Sequence, residues 1–195
     1  MIQVQLICIS GFRQGLGADN GTHEIWEALR KYQSAQVQVT VCTWNDDWRG
    51  RAELIDAFSD PDALILVAAY SWGAGYGLRK LAKHLRKRGR SIDMAVLCDP
   101  VYRSRVPLFR WLALVRRWRI RLPENIRRAV WFYQRNRHPM GHLPRPADDP
   151  RVIRLQQLDE THNSIDEAEE YYNAVLRYAS QFVEQSKQRA RRPDR

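Results

Sequence analysis

Cysteine is scarce in this sequence. The 195 residues include three cysteines, Cys8, Cys42 and Cys98, and each lies in or beside an apolar run. An odd number at such wide spacing gives neither a disulfide framework nor the paired spacing of a zinc site. We therefore expect buried free thiols, which suit a reducing compartment.

The sequence also lacks a leader-like start and a long hydrophobic segment. Its first ten residues, MIQVQLICIS, have no basic start, and glutamines interrupt the apolar run. No stretch reaches the roughly 18 consecutive apolar residues that a membrane-spanning helix needs. These features predict a cytoplasmic protein with no signal peptide and no transmembrane segment.

Acidic residues are fewer than basic ones. The chain has 22 Asp and Glu against 32 Lys and Arg, which gives a net charge of +10. Such an excess favours anionic partners, namely nucleic acid, an acidic lipid surface or an anionic substrate, although a solvated basic surface would show the same composition. The length and the 44% of hydrophobic residues are those of one globular domain.

Six strand-like runs alternate with helical patterns along the chain. The predicted strands are residues 4–10, 37–44, 63–69, 93–98, 127–133 and 151–155. The predicted helices are residues 22–32, 49–58, 75–88 and 166–185, and a glycine-rich loop spans 11–21. This alternation predicts an α/β fold, a three-layer sandwich around a mostly parallel six-stranded sheet. We expect one domain over residues 1–187 and a basic disordered tail over 188–195.

One segment carries a pattern typical of a catalytic serine. In ALILVAAYSWGAGYGLRKLAKHL, an apolar strand ends at Ala69, Ser71 follows, and a helix begins within a few residues. A nucleophile held on such a sharp turn needs small residues two positions before and after it, and these are Ala69 and Gly73. Gly75 gives further room for close helix packing, and the helix N-terminus favours negative charge on a reacting oxygen.

The segment A-Y-S-W-G resembles the G-x-S-x-G motif of the α/β-hydrolase superfamily, with alanine in place of the first glycine. The resemblance implies a minimal α/β-hydrolase fold that lacks the first two antiparallel strands of the full fold. It also implies that Ser71 is the nucleophile and that no metal or organic cofactor is needed. A serine that caps a helix after a strand is the alternative interpretation of the motif.

The superfamily's order along the chain is nucleophile, acid, histidine. Asp99 follows the predicted strand 93–98 in a Leu-Cys-Asp-Pro context. This context is similar to that of the pancreatic-type lipases, in which the acid follows the sixth strand, and it implies that Asp99 is the acid. Asp148 and Asp149, in RPADDP after the next strand, are the alternatives, and Asp99 could also be a turn residue before a proline.

A histidine stands where the resembling families carry the catalytic base. His162 lies in LDETHNSID, between the last strand and the last helix. Imidazole suits this role because it can accept and return a proton near neutral pH. His138 and His142, in the loop before the last strand, are second choices, and the chain's other two histidines fall in predicted helices.

The first loop, SGFRQGLG, corresponds by the same resemblance to the loop that helps to bind a reaction's oxyanion. The resemblance implies that the backbone N–H groups of Phe12 and Trp72 are the donors. The alternative is a flexible glycine loop with no catalytic role.

An arginine-rich, aromatic stretch interrupts the pattern of strands. Between Tyr102 and Arg137 one acidic residue, Glu124, stands among eleven arginines. Residues 101–125 look like a lid-like insertion, and Leu108, Trp111, Leu112, Val115 and Trp118 have helical spacing. The stretch is either a packed helix with a solvated basic face or a lid that accepts an acyl chain and meets an anionic membrane surface. Nucleic-acid binding is disfavoured because no recognised motif accompanies the charge.

These patterns predict a serine hydrolase that cleaves a carboxylic ester or thioester through an acyl-enzyme intermediate. Its substrate would be a small-molecule or lipid ester, and the sequence leaves the oligomeric state open. One alternative is a non-catalytic hydrolase-like scaffold that binds a lipid surface or nucleic acid through its arginine-rich face. Another is an oxidoreductase similar to the short-chain dehydrogenases, because Gly11, Gly15 and Gly17 follow the first strand and Tyr76 and Lys80 form Y-x-x-x-K. In that family, however, the tyrosine comes later, after more strands of the sheet.

Overall fold

A parallel β-sheet forms the centre of the protein in the computed structural model, which describes residues 1–15, 20–103 and 119–191. The strands are β1 (Ile2–Ile9), β2 (Val37–Cys42), β3 (Ser59–Tyr70), β4 (Met94–Cys98), β5 (Arg119–Arg121), β6 (Ala129–Tyr133), β7 (Leu143–Arg145) and β8 (Val152–Gln157). Six of them form the main sheet in the order β2-β1-β3-β4-β6-β8, and every neighbouring pair is parallel. The prediction of a six-stranded, mostly parallel sheet is confirmed.

Helices cover both faces of this sheet. They are α1 (Gly21–Leu29), α2 (Trp48–Phe58), α3 (Leu78–Arg86) and α4 (Glu169–Ala190). Buried residues of α1 and α4 pack in one core layer, and those of α2 and α3 pack in the other. The protein is therefore the predicted three-layer sandwich. No helix in the described ranges is both long and apolar enough to span a membrane.

The alternation of side chains along a strand explains why the central strands are apolar throughout. In β3, Leu66 and Ala68 belong to the layer shared with α1 and α4, whereas Ile65 and Val67 belong to the layer shared with α2 and α3. Successive side chains of a strand point to opposite faces, so a strand covered by helices on both sides needs apolar residues at every position.

Side-chain caps mark the starts of the first two helices. The side chain of Asn20 accepts a hydrogen bond from the backbone N–H of His23 at the start of α1. Asp47 does the same for Arg49 and Gly50 at the start of α2. Such caps satisfy N–H groups that have no partner inside the helix.

Some predicted boundaries differ from the structure. The last helix begins as a separate 3-10 turn, Ile165–Glu167, and continues to Ala190, into the segment predicted as a tail. The helix stays ordered there because Ser186 is buried and donates a hydrogen bond to the Gln3 side chain at 2.7 Å. The end of the predicted tail, residues 192–195, lies outside the described residues.

The sequence did not predict the short pair β5–β7, which forms a separate two-stranded parallel sheet. Three residues per strand are too few for a periodic pattern to be visible. Most of the predicted lid, residues 104–118, lies outside the described residues. The described part of the chain resumes at residue 119, and Ile120 and Leu122 are buried in the layer shared with α2 and α3.

The strand order also separates this fold from the dinucleotide-binding one. Here β1 lies between β2 and β3, whereas the order 3-2-1-4-5-6 of dinucleotide-binding sheets puts the first strand beside the fourth. The dehydrogenase alternative therefore has no support in the topology. Instead, the parallel order brings the carboxyl ends of β1, β3, β4 and β6 to one edge of the sheet, where ligands and reacting groups collect in open α/β folds.

Candidate active site

Ser71 stands on a sharp turn at this edge. Its φ angle is 51°, in the left-handed region that a residue with a Cβ seldom adopts. Its backbone N–H still bonds to the carbonyl of Cys98 at 2.9 Å, so the pairing of β3 with β4 runs up to the turn. The chain then enters a π-helical turn, Gly73–Gly77, that leads into α3. Such backbone strain costs on the order of 1–3 kcal/mol and is concentrated at functional sites.

Close packing explains the glycine two residues after the serine. A Cβ at Gly73 would lie 2.5 Å from the carbonyl oxygen of Ile9 and 2.6 Å from that of Ser10. Ala69, two residues before the serine, is completely buried. The small residues at both positions therefore let the turn sit directly against the end of β1.

The structure brings together the three side chains predicted to act in catalysis. The Oγ of Ser71 lies 3.0 Å from Nε2 of His162, and Nδ1 of His162 lies 2.6 Å from Oδ2 of Asp99. Ser71 is 3% exposed and Asp99 is fully buried, whereas His162 is partly open to solvent. The hydroxyl of Tyr70 donates a hydrogen bond to the backbone carbonyl of His162, which ties the histidine loop to the end of β3.

Asp99 is held by more than the histidine. It follows β4 with a φ angle of 41°, and its Oδ1 accepts a hydrogen bond from the backbone N–H of Gln134 at 3.1 Å. The Gln134 side chain donates to Oδ2 at 3.0 Å, and Gly141 packs so closely on the carboxylate that a Cβ there would collide with it. Donors on both oxygens and the close packing of Gly141 fix the orientation of the carboxylate towards His162.

Gln134 is not among the site residues predicted from the sequence. A signal was present, because Gln134 is the first residue after β6, and β6 is the neighbour of β4 in the sheet. A polar residue at the carboxyl end of a buried strand is a candidate for the site edge. The pairing of β6 with β4 was needed to place it beside Asp99.

We expect Gln134→Leu to reduce kcat by about 10- to 100-fold, because a hydrogen bond to a buried charged group contributes about 1.5–3 kcal/mol. The backbone N–H of residue 134 would still hold Oδ1, so some activity should remain. Steady-state hydrolysis of a short-chain ester checks this. An unchanged kcat in a folded variant would show that His162 and the backbone N–H of residue 134 are enough to keep Asp99 in place.

The structure places the other predicted acids and histidines elsewhere. Asp149 lies before the start of β8 and is paired with Arg151 at 2.6 Å. The side-chain hydrogen bond from Arg151 lowers the pKa of Asp149. Asp148 and His138 are exposed. His142 is buried, and its Nδ1 accepts a hydrogen bond from the backbone N–H of Tyr102 at 2.8 Å.

The first loop lies against the serine, as the oxyanion prediction requires. A Cβ at Gly11 would be 3.0 Å from Cβ of Ser71, so the backbone at this point passes directly beside the turn. The ring of Phe12 stacks on that of Trp72 with 4.2 Å between centroids. The two residues predicted as backbone donors are therefore neighbours, and their role in binding an oxyanion stays a prediction.

A hydrogen bond between the side chains of Gln14 and Asp166 joins this loop to the segment that follows His162. The side chain of Gln14 accepts a hydrogen bond from the backbone N–H of Gly11 at 2.9 Å and donates one to Oδ2 of Asp166 at 2.7 Å. Asp166 is 1% exposed, and its Oδ1 finds no hydrogen-bond donor in the described part of the chain. Burial raises the pKa of Asp166 to about 6. The predicted helix 166–185 begins at Asp166, whereas in the structure this residue lies in the 3-10 turn that precedes α4.

This raised pKa predicts a pH-dependent effect of Asp166→Asn on stability. The carboxyl group keeps its proton to a higher pH in the folded protein than in the unfolded chain, where its ordinary pKa is 3.8. Its contribution to the unfolding free energy is therefore fully present below pH 3.8 and is lost as the pH rises through 6. Asparagine is neutral throughout. The variant should therefore gain up to about 3 kcal/mol of unfolding free energy relative to wild type between pH 4 and pH 7. Urea unfolding of both proteins at these two pH values measures the difference, and a constant difference would contradict the prediction.

The rings of Phe12, Trp44, Trp72 and Tyr76 contact one another and form an aromatic wall, in which Trp72 is the residue that follows the serine. Trp44 lies 5.0 Å from Trp72 and 5.9 Å from Tyr76, measured between ring centroids. The guanidinium of Arg103 lies over this wall, 4.3 Å from the Trp44 ring and 4.8 Å from the Trp72 ring. Arginine stacked on indole rings combines an apolar surface with a positive charge.

The strand order and the turn at Ser71 are those of the α/β-hydrolase fold, and comparison with two solved structures of RedJ agrees. The RedJ thioesterase of the prodiginine pathway in Streptomyces coelicolor has a TM-score of 0.53 and 11% identity over 92% of this chain and 85% of its own. A RedJ structure with polyethylene glycol bound has a TM-score of 0.52 and 10% identity over 92% and 94% of the two chains. YbtT, the type II thioesterase of the yersiniabactin pathway, has a TM-score of 0.48 and 12% identity over 93% and 95%. No protein-family model and no curated protein matches the chain.

Proposed function

We propose that the protein is a serine hydrolase that cleaves carboxylic esters or thioesters through an acyl-enzyme intermediate. The observation that carries this proposal is the continuous hydrogen-bonded line from Ser71 through His162 to the buried Asp99. The strained φ of Ser71 supports it, because a serine on a strand-to-helix turn with a base at its hydroxyl is an activated nucleophile.

In the first half of the reaction the Oγ of Ser71 attacks the carbonyl carbon of the substrate. His162 takes the hydroxyl proton on Nε2, and the carboxylate of Asp99 stabilises the imidazolium and fixes its orientation. The backbone N–H groups of Phe12 and Trp72 donate to the oxyanion of the tetrahedral intermediate. The bond to the leaving group then breaks, and His162 returns its proton to the departing oxygen or sulfur.

In the second half a water molecule replaces the leaving group. His162 accepts a proton from the water, whose oxygen attacks the carbonyl carbon of the acyl-enzyme. The second tetrahedral intermediate collapses to the free acid, and Ser71 leaves with the proton that His162 gives back. No metal or organic cofactor takes part in this sequence.

Thioesters belong in the substrate class for two reasons. A thiol is a good leaving group, so the same three side chains handle oxygen and sulfur esters alike. RedJ, which shares the fold, is described as a thioesterase. The aromatic wall formed by Phe12, Trp44, Trp72 and Tyr76 offers an apolar surface for an acyl group or leaving group next to the serine.

The direct test is active-site labelling followed by peptide mass analysis. We expect a fluorophosphonate to form a single adduct on Ser71, and we expect a butyryl ester and a butyryl thioester to be hydrolysed. Pre-labelled protein should hydrolyse neither. An absence of labelling and turnover, under conditions that label a known serine hydrolase, would favour the non-catalytic scaffold.

A further inference from the structure

A positively charged groove runs along the outer face of α3. It is a cavity of about 500 Å³ between α3 and the segment that follows β5. Its cationic lining residues, which define the basic groove here, are Arg79, Lys80, Lys83, Arg86, Arg103 and Arg121. The volume suits a small molecule.

The helix is built to present these charges outward. α3 buries one side in the core, through Leu78, Leu81, Ala82 and Leu85. Arg79, Lys83 and Arg86 are exposed on the side that faces away from the sheet. Like charges three or four residues apart on a helix destabilise it. Lys83 is in such a relation to both Arg79 and Arg86, so a bound anion would offset a cost that the free helix carries.

Little negative charge balances the groove. Among its described lining residues the one carboxylate is Glu124, which pairs with Arg86 at 2.7 Å. A neighbouring cavity shares Arg79 and Arg121 and adds Arg119 and Arg145. The pKa of His84 is lowered, first by its burial and then by the surrounding lysines, which is a further sign of a positive field along this helix.

Two lining residues connect the groove with the surroundings of the proposed active site. Tyr76 lines it and belongs to the π-helical turn that follows Ser71. Arg103 also lines it and lies 4.8 Å from the ring of Trp72, the residue next to the serine. A substrate whose carbonyl reaches Ser71 can therefore extend its leaving group along the aromatic wall and into the groove.

We infer that the basic groove binds a phosphate or pyrophosphate group on the leaving-group side of the substrate. Paired arginine forks and lysine ammonium groups match the several oxygens and the double charge of a phosphate. The inference rests on the proposed ester or thioester hydrolysis and adds to it a preference for phosphorylated substrates. A nucleic acid would need stacking surfaces along the groove, whereas its tyrosines already contact the lining cations Arg79 and Lys80.

The kinetic test uses two esters that differ by one phosphate, 6-hydroxyhexyl butyrate and its phosphate monoester. We expect kcat/KM for the phosphate ester to exceed that for the neutral ester by about 10- to 100-fold. The ratio should fall towards 1 in the double variant Lys80→Gln/Lys83→Gln. The control Lys31→Gln/Lys187→Gln removes the same charge at exposed positions on the other side of the sheet and should keep the wild-type ratio.

A binding measurement separates this inference from the proposed function. Calorimetry with inorganic pyrophosphate should detect binding that the Lys80→Gln/Lys83→Gln variant loses and the control variant keeps, whether or not any ester is cleaved. Equal hydrolysis of both esters without pyrophosphate binding would overturn the inference and leave the hydrolase intact. Pyrophosphate binding without turnover or fluorophosphonate labelling would instead overturn the proposed function. Oligonucleotide binding through the same lysines, with no preference between the esters, would assign the groove to nucleic acid.

Discussion

Replacing Ser71 with alanine is expected to lower ester turnover by about 10⁴- to 10⁶-fold and to abolish fluorophosphonate labelling. The variant keeps His162 and Asp99 but has no oxygen to attack the carbonyl carbon. Any remaining rate would come from binding and from the oxyanion donors alone. Steady-state hydrolysis at high enzyme concentration, with intact-protein mass after labelling, measures both effects.

The fold should survive this change. Alanine is smaller than serine, and Nε2 of His162, which loses its partner, lies on a side chain that is 12% exposed and so can meet water. We expect the unfolding free energy to change by no more than about 1 kcal/mol. Ser91→Ala is a matched control, because Ser91 is a partly buried serine just before β4, at the far end of the strands. It should retain wild-type turnover, and substantial activity in Ser71→Ala would refute the mechanism.

The substitution Asp99→Asn should lower kcat by about 10⁴-fold in a folded protein. In the described part of the chain, the groups that form hydrogen bonds with the Asp99 carboxylate are the histidine ring and the two donors of Gln134. If the asparagine oxygen faces His162, its amide group meets the backbone N–H of Gln134. If the amide group faces His162 instead, Nδ1 must accept, so Nε2 carries a hydrogen and cannot take the serine proton.

Asp149→Asn distinguishes the two candidate acids. The side chain of Asp149 is 4% exposed and pairs with Arg151, so its loss leaves a partly buried guanidinium without its carboxylate. We expect a loss of about 1–3 kcal/mol of unfolding free energy and an unchanged kcat per folded molecule. Denaturant unfolding and active-site titration provide the two measurements. The opposite result, with Asp99→Asn active and Asp149→Asn inactive, would transfer the role of the acid to Asp149.

Much of the fold could be predicted from the sequence because its signals are local. Residues 63–69 and 94–98 are apolar at every position, which is what burial on both faces requires; the first run lies within β3 and the second is β4. The turn at Ser71 was equally visible. Small residues are needed near the serine because Gly73 packs against the carbonyls at the end of β1. This requirement is visible in the sequence as a motif of five residues.

What the sequence by itself determined was the alternation of strands and helices, the position of the serine turn and the excess of positive charge. Only the tertiary structure decided which carboxylate meets His162, because Asp99 and Asp149 both border strands and differ in the edge of the sheet at which they stand. It alone placed Gln134 beside Asp99 and joined Gln14 to Asp166, 152 residues apart in the chain. Those contacts depend on strand order and on the paths of the loops. Both arise from packing between segments that are distant in the chain, so no periodic pattern in either segment's sequence predicts them.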